Sequence, residues 1–255
     1  MRMLKKDGYY KKQVICPNGM NFVTKCQMPT LGRSDKREPK TMPSSERQER
    51  KNLNKAIDNL FYLLLSNFFP GDFNLALTYA CQVTKEQAQR TVKNFLGMYR
   101  AYCKARGYRP DYIYNTEIHN SATWHHHIVL HNHADLQQIE ILWKQAGGGS
   151  VQGKPQGGYM LWANWDWYGL AKYICGVKKD SKGNEHILPR EKGDRRYNTS
   201  HGLKRPKIVY EWIDADRWYK PRAPKGWYIV PDSIRSGADE LTGGNFIKYL
   251  LRRLD

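Results

Sequence analysis

Six of the eight histidines fall between residues 119 and 133, and three are consecutive within Trp124-His125-His126-His127-Ile128-Val129-Leu130. The apolar run behind them predicts a strand anchored in a core. Alternate side chains of a strand share a face, so His125 and His127 project together while His126 points the other way. Two imidazoles at that spacing can ligate one divalent ion. A third ligand is available if the preceding strand returns as a hairpin. With the turn centred near Ser121, Glu117 falls opposite His125. His119 is the rival third ligand, and His131 and His133 lie beyond the site. One carboxylate and two imidazoles, with positions left for water, suit Mg²⁺ or Mn²⁺ acting as a Lewis acid on phosphate. A histidine-rich strand can also be a plain surface feature. The strand spacing, the apolar run and the hairpin-placed glutamate favour the metal.

Composition names the kind of substrate. Lys and Arg exceed Asp and Glu by 18 charges in 255 residues, which points to a polyanion, and to nucleic acid before a membrane surface. The longest apolar stretch, around Leu60–Leu65, is far short of the roughly 20 residues of a membrane span. MRMLKKDGYYKK has no apolar region behind its charges and does not read as a secretory signal. Five cysteines without C-x-x-C spacing argue against a disulfide framework or a structural zinc site. Cys16 and Cys26, which can face each other across a hairpin, read as half-buried thiols. A cytoplasmic location is expected.

The elements that must position this chemistry follow from pattern. Residues 1–43 read as a basic hairpin, turning at Pro17-Asn18-Gly19, followed by a linker over Leu31–Pro43. Ser44 or Ser45 caps a helix to about Asn67, stopped by Pro70-Gly71. Asp72–Ala80 is predicted as a buried strand. Thr84 to Gln87 forms a capping box for a helix carrying Ala88, Val92, Phe95, Leu96, Tyr99 and Cys103, with Gly107 its stop. Tyr112–Ile118 and Trp124–His131 form an antiparallel pair. Asp135 caps a short helix with Leu136, Ile139, Leu142 and Trp143 on one face. A glycine-rich loop, a strand near Tyr159–Ala163 and a helix near Trp165–Gly176 complete the series. Paired consecutive strands among helices predict an α+β fold, a central antiparallel sheet flanked by helices. Beyond residue 180 the chain reads as polar and loop-like, ending in a short basic helix over Gly244–Leu254.

Leu75-Ala76-Leu77-Thr78-Tyr79, the strand ending in Glu117, the His125–Leu130 run and a later helix with Lys172-Tyr173-Ile174 together resemble the HUH endonucleases. Within them the chain most resembles the rolling-circle replication initiators of bacterial plasmids, phages and integrative elements, over roughly Asn52 to Pro206. The middle of the HUH pattern is normally apolar, and here it is His126. The resemblance implies a palm like that of RNA-recognition motifs over residues 44–206, with 207–255 a basic extension. It implies that His125 and His127 bind the metal with Glu117 as acidic partner. It also implies that a tyrosine on the later helix attacks the scissile phosphate, leaving a 5′-phosphotyrosine and a 3′-OH primer. Tyr173 matches that position better than Tyr168. The two lie about 140° apart on a helix, so both do not face one metal, and a single-tyrosine enzyme is expected. Many relatives carry a lysine three residues after the tyrosine. Gly176 stands there, with Lys178 or Lys179 as substitutes.

The partners implied are single-stranded or locally melted origin DNA and host replication proteins such as a helicase. Lys172, Lys178, Lys179, Lys204 and Arg205 are candidate phosphate contacts, and Trp162, Trp165 and Trp167 candidate stacking surfaces for unpaired bases. Gly148–Pro155 nearly spells the phosphate loop G-x-x-x-x-G-K-[ST]. Pro155 replaces the hydroxyl residue, so no fused ATPase or helicase is expected, and the segment reads as a DNA-contacting flap. The alternatives are a relaxase or single-strand transposase of the same superfamily, or a non-catalytic DNA-binding protein. A cupin-like enzyme also uses His-x-His, but the helices and the basic excess argue against it.

Overall fold

The computed structural model describes residues 8–27, 46–118, 123–156, 164–190, 193–238 and 244–254. In chain order the elements are β1 (Tyr9–Ile15), β2 (Met20–Gln27), α1 (Glu46–Asn67), β3 (Asp72–Leu77), α2 (Lys85–Ala105), β4 (Tyr112–Ile118), β5 (Trp124–Leu130), α3 (Leu136–Gln145), β6 (Val151–Gln156) and α4 (Asn164–Ile174). They continue with β7 (Val177–Lys179), β8 (Glu185–Ile187), β9 (Asn198–Thr199), β10 (Lys207–Ile213), β11 (Trp227–Ile229), β12 (Arg235–Ala238) and β13 (Asn245–Arg253). The class is α+β with antiparallel sheets. The chain divides into two compact units, Leu53–Lys204 and the pair of segments Met1–Asn52 with Arg205–Asp255.

The Leu53–Lys204 unit is built on a sheet of order β6-β3-β5-β4-β9, antiparallel at every pairing. One face is apolar at alternate positions. Phe73, Leu75 and Leu77 of β3 and Ile128 and Leu130 of β5 pack with Val92, Phe95, Leu96 and Tyr99 of α2 and Ile139, Leu142 and Trp143 of α3. The period of two on the strands meets the period of 3.6 on the helices, which is what fixes the strand register. Thr84 closes α2 with the expected capping box: its hydroxyl accepts from Gln87 N, and the Gln87 side chain accepts from Thr84 N. The opposite face carries His125, His127, Asn115 and Glu117. Helix α4 meets it there, with Ile174 O accepting from Asn115 Nδ2, and α4 reaches α1 through an edge-on contact of Tyr168 with Phe61.

Glycine-rich sequence misled the reading around residue 150. Val151–Gln156 is a strand on the edge of the sheet, pairing along its length with β3, rather than a flap. Pro155 is tolerated because an edge strand has one side without a ladder partner. Gly148 and Gly149 serve close approach: a Cβ would lie 2.0 Å from the Trp143 ring at Gly148 and 2.5 Å from Ala80 N at Gly149. The strand expected at Tyr159–Ala163, the linker over Leu31–Pro43 and the cap at Ser44 or Ser45 fall outside the described residues.

The other unit is a sheet of order β10-β1-β2-β13-β11, with β12 also pairing to β13. The expected β1–β2 hairpin is present, with Gly19 at φ 78° in its turn and Cys16 N bonded to Met20 O at 2.8 Å. Cys16 is buried and Cys26 half-buried, both as free thiols. The chain beyond residue 180 is not loop-like, and Gly244–Leu254 is not a helix. Asn245–Arg253 is the strand β13, paired with β2 over seven residues. Its Ile247, Tyr249 and Leu251 alternate on one buried face while Leu250 is buried on the other. Two half-buried faces blur the alternation, and the remaining spacing imitates a helix.

Candidate active site

Strand pairing places Glu117 directly opposite His125 and Asn115 directly opposite His127. The three side chains of Glu117, His125 and His127 are buried and converge. Nε2 of His125 and Nε2 of His127 lie 3.1 and 3.0 Å from Glu117 Oε1, and 3.1 Å from each other. Among the described residues this is the one group of three His, Cys, Asp or Glu side chains placed to hold a metal. Adjacent ligands of an octahedral ion bound at about 2.1 Å are about 3.0 Å apart, so the triangle fits three neighbouring positions of one ion, leaving the others for water and substrate.

Asn115, fully buried, is the residue that pattern reading missed. Its Nδ2 donates to Glu117 Oε2 at 3.0 Å and to Ile174 O at 2.8 Å, and its Oδ1 accepts from His127 N at 3.3 Å. One amide thus ties the carboxylate, the histidine strand and the end of α4 together. Its position two residues before Glu117, on the same strand face, was the available signal.

Tyr173 stands on α4 with its ring 4.6 Å from that of His127, and is 39% exposed. Tyr168 turns away toward α1 and is half-buried. Gly176, at φ 90°, ends α4 in a conformation favourable to glycine, and β7 follows at once. That turn delivers Lys178: its Nζ lies 2.6 Å from Glu117 Oε1 and 3.1 Å from the centroid of the Tyr173 ring. The ammonium is buried and makes an ion pair without an aligned hydrogen-bond acceptor. Lys179 is exposed, and Lys172 pairs with Glu185. Lys204 and Arg205 are exposed, the Lys204 backbone being held by the Asn67 side chain through bonds of 2.6 and 2.8 Å. The structure brings together Glu117, His125, His127, Tyr173 and Lys178, and leaves Lys172, Lys179, Lys204 and Arg205 elsewhere. Trp167 is buried at 4% exposure and offers no stacking surface. His119, Trp162 and the Trp165 side chain lie outside what is described. His131 bonds Asp72 at 2.9 Å, away from the triad.

Electrostatics follow from this packing. Burial alone would raise the Glu117 carboxyl, but His125, His127 and Lys178 outweigh it and hold the group well below the usual carboxylate range. Burial lowers His127, opposed by Glu117, and lowers Lys178 against the same carboxylate. Burial first, then the Glu117 charge, raises the Tyr173 phenol. An uncompensated carboxylate is therefore a poor neighbour for a phenolate, and added positive charge at the triad would relieve it.

His126 points to the opposite face, as strand alternation requires. It is fully buried, with Nε2 2.7 Å from Tyr79 Oη, Nδ1 2.9 Å from Thr116 Oγ1, and its ring edge-on to Trp143. Burial, then the neighbouring His125 and His127, push its pKa down to about 3. The unfolded imidazole takes up a proton near pH 6.5. Its contribution to stability is therefore complete above pH 6.5 and is lost as pH falls from there toward 3, at up to about 1.4 kcal/mol per pH unit. Melting followed by circular dichroism is expected to show a flat stability above pH 7 and a steep decline below 6.5, and His126→Gln to flatten that decline. An unchanged acid slope in His126→Gln would refute this role.

Residues 72–176 match the family model described as Replication-associated protein ORF2. The matched segment is rolling-circle Rep-like, and its histidine cluster beside Glu117 is consistent with the HUH motif. It runs from the first residue of β3 to Gly176 and includes Asn115, Glu117, His125, His127 and Tyr173. Searches of the curated proteins and of the solved structures return no match for the chain.

Proposed function

We propose that the Leu53–Lys204 unit nicks and rejoins single-stranded DNA to initiate rolling-circle replication. The observation that carries this reading is a half-exposed tyrosine ring packed on a ligand histidine of a Glu-His-His triangle, with a buried lysine beneath it. Tyr173 Oη attacks the scissile phosphorus in line, the bond to O3′ breaks, and O3′ leaves as the 3′-OH that primes synthesis. The 5′-phosphoryl group stays on the tyrosine, so the bond energy is kept and a later 3′-OH can reverse the step. Lys178, against the ring, offsets the charge that Glu117 places near the phenol and favours the phenolate. Asn115 holds Glu117 and α4 in register, so that nucleophile and triad keep a fixed separation. A bound Mg²⁺ or Mn²⁺ would draw charge from the non-bridging phosphate oxygens. Lys178 at the site favours a working enzyme over an idle DNA-binding relative, since it fills the role left open by Gly176. Host helicase recruitment and a cytoplasmic location belong to this reading.

The test is a covalent adduct. Full-length protein incubated with single-stranded, origin-like oligonucleotides and Mn²⁺ is expected to give a DNA-linked band on denaturing gels. That band must be absent with EDTA. No adduct over a broad panel of oligonucleotides and metals counts against nicking.

A further inference from the structure

We infer that one face of the sheet in the Met1–Asn52 and Arg205–Asp255 unit is a second binding surface, a platform for single-stranded DNA. The pairing registers define it. Tyr210 lies across from Lys12, Lys12 from Thr24, Thr24 from Lys248 and Lys248 from Arg235, a straight row over five strands. At about 4.8 Å per strand the row is about 19 Å long. The next row on the same face, two residues along or about 6.8 Å away, contains Trp212 paired with Tyr10, and Phe246 farther across. A cationic row thus lies beside an aromatic one.

The exposed edge carries the recognition chemistry. Tyr210 is 52% and Trp212 38% exposed, and Lys248 and Arg235 are exposed. The rings form a connected set rather than scattered residues: Tyr10 and Tyr210 are 6.3 Å apart, and Lys248 Nζ is 5.2 Å from the Phe246 ring. Glu211 is the one carboxylate in these five strands. It lies on the other face, where Lys11 neutralises it at 2.5 Å. The platform face therefore presents cations and aromatic rings without an acid among its strand residues. Charge complementarity selects a polyanion, and the rings select one whose bases are unpaired, because stacking needs an open base face. A duplex would offer its phosphates to the lysines and nothing to Trp212 or Tyr210.

This inference takes from the proposed function only that DNA is the substrate, and its test is independent of nicking. Binding of full-length protein to a fluorescein-labelled oligothymidylate is measured by anisotropy in EDTA, where no cleavage is expected. Tyr210→Ala with Trp212→Ala is expected to weaken binding by about tenfold to a hundredfold, while Tyr210→Phe with Trp212→Phe stays near wild type. Lys12→Ala with Lys248→Ala is expected to reduce the slope of log K against log salt by about 1.4. Tyr173→Phe is expected to bind as wild type does, which separates failure of this platform from failure of the nicking assignment. Unchanged affinity in the aromatic pair together with an unchanged slope in the lysine pair overturns the proposal, whether or not an adduct forms. A duplex bound as tightly as the single strand, with the same loss in the aromatic pair, also overturns it.

Discussion

Tyr173→Phe is expected to eliminate the covalent protein–DNA adduct, a loss on the order of 10⁴-fold or more, because it removes the nucleophile and nothing else. The ring keeps its place between His127 and Lys178, so folding and DNA binding are expected to persist. Tyr168→Phe is the paired control. Five residues earlier on α4, Tyr168 faces Phe61 of α1, and burial together with the nearby Asp58 pushes its phenol up to about 12. Losing that hydroxyl costs about 1 kcal/mol of stability and leaves the adduct rate within a few-fold of wild type. The measurement is single-turnover adduct formation at saturating oligonucleotide, read on denaturing gels. An undiminished adduct in Tyr173→Phe, or its loss in Tyr168→Phe alone, would reassign the nucleophile.

Lys178 shows where sequence stopped short. A lysine one helical turn after the tyrosine is the expected arrangement, and Gly176 in that position reads as a gap. The structure reaches a similar charge placement by another route. Gly176 breaks the helix with a positive φ, and the chain turns back so that Lys178 meets both Glu117 and the Tyr173 ring. Nothing local in Gly-Val-Lys-Lys distinguishes Lys178 from Lys179. The distinction comes from which side of a three-residue strand faces the sheet.

The His125–His127 pair and its glutamate were legible because they depend on one strand's period and one hairpin's register. His126 was legible for the same reason, as the residue between them. Asn115 was hidden because an amide has no metal or nucleophile chemistry to announce it; only its three partners give it a role. The sheet formed by β10, β1, β2 and β13 was hidden for a different reason. Its pairings join residues about 200 apart in sequence, and no local pattern encodes a contact of that range. β6 failed more simply: glycine and proline dominate Val151–Gln156, so propensity opposed a strand that pairing with the edge of β3 nevertheless forms.

His127→Ala is expected to abolish both metal binding and adduct formation while leaving DNA binding in EDTA unchanged. The three donor atoms form a triangle with sides of 3.0 and 3.1 Å, so removing one corner leaves two ligands where a divalent ion needs a fixed set. Loss of partners outside the coordination shell costs about 10–100-fold in affinity, and loss of a ligand is expected to cost at least the upper end of that range. The readout need not be catalytic. A ligand bound only to the folded state stabilises it by about 2.7 kcal/mol at 100 times its dissociation constant. Wild-type protein is therefore expected to melt higher with Mn²⁺ than with EDTA, and His127→Ala to melt at the same temperature in both. The contrast with His126→Gln gives the test its force: that variant alters the apolar face beside Trp143 and is expected to keep the full Mn²⁺ shift. Glu117→Gln is less clean, because it also strips Lys178 of its carboxylate. A Mn²⁺ shift that survives in His127→Ala and disappears in His126→Gln would place the ion on the wrong side of β5, and with it the nucleophile assigned from that side.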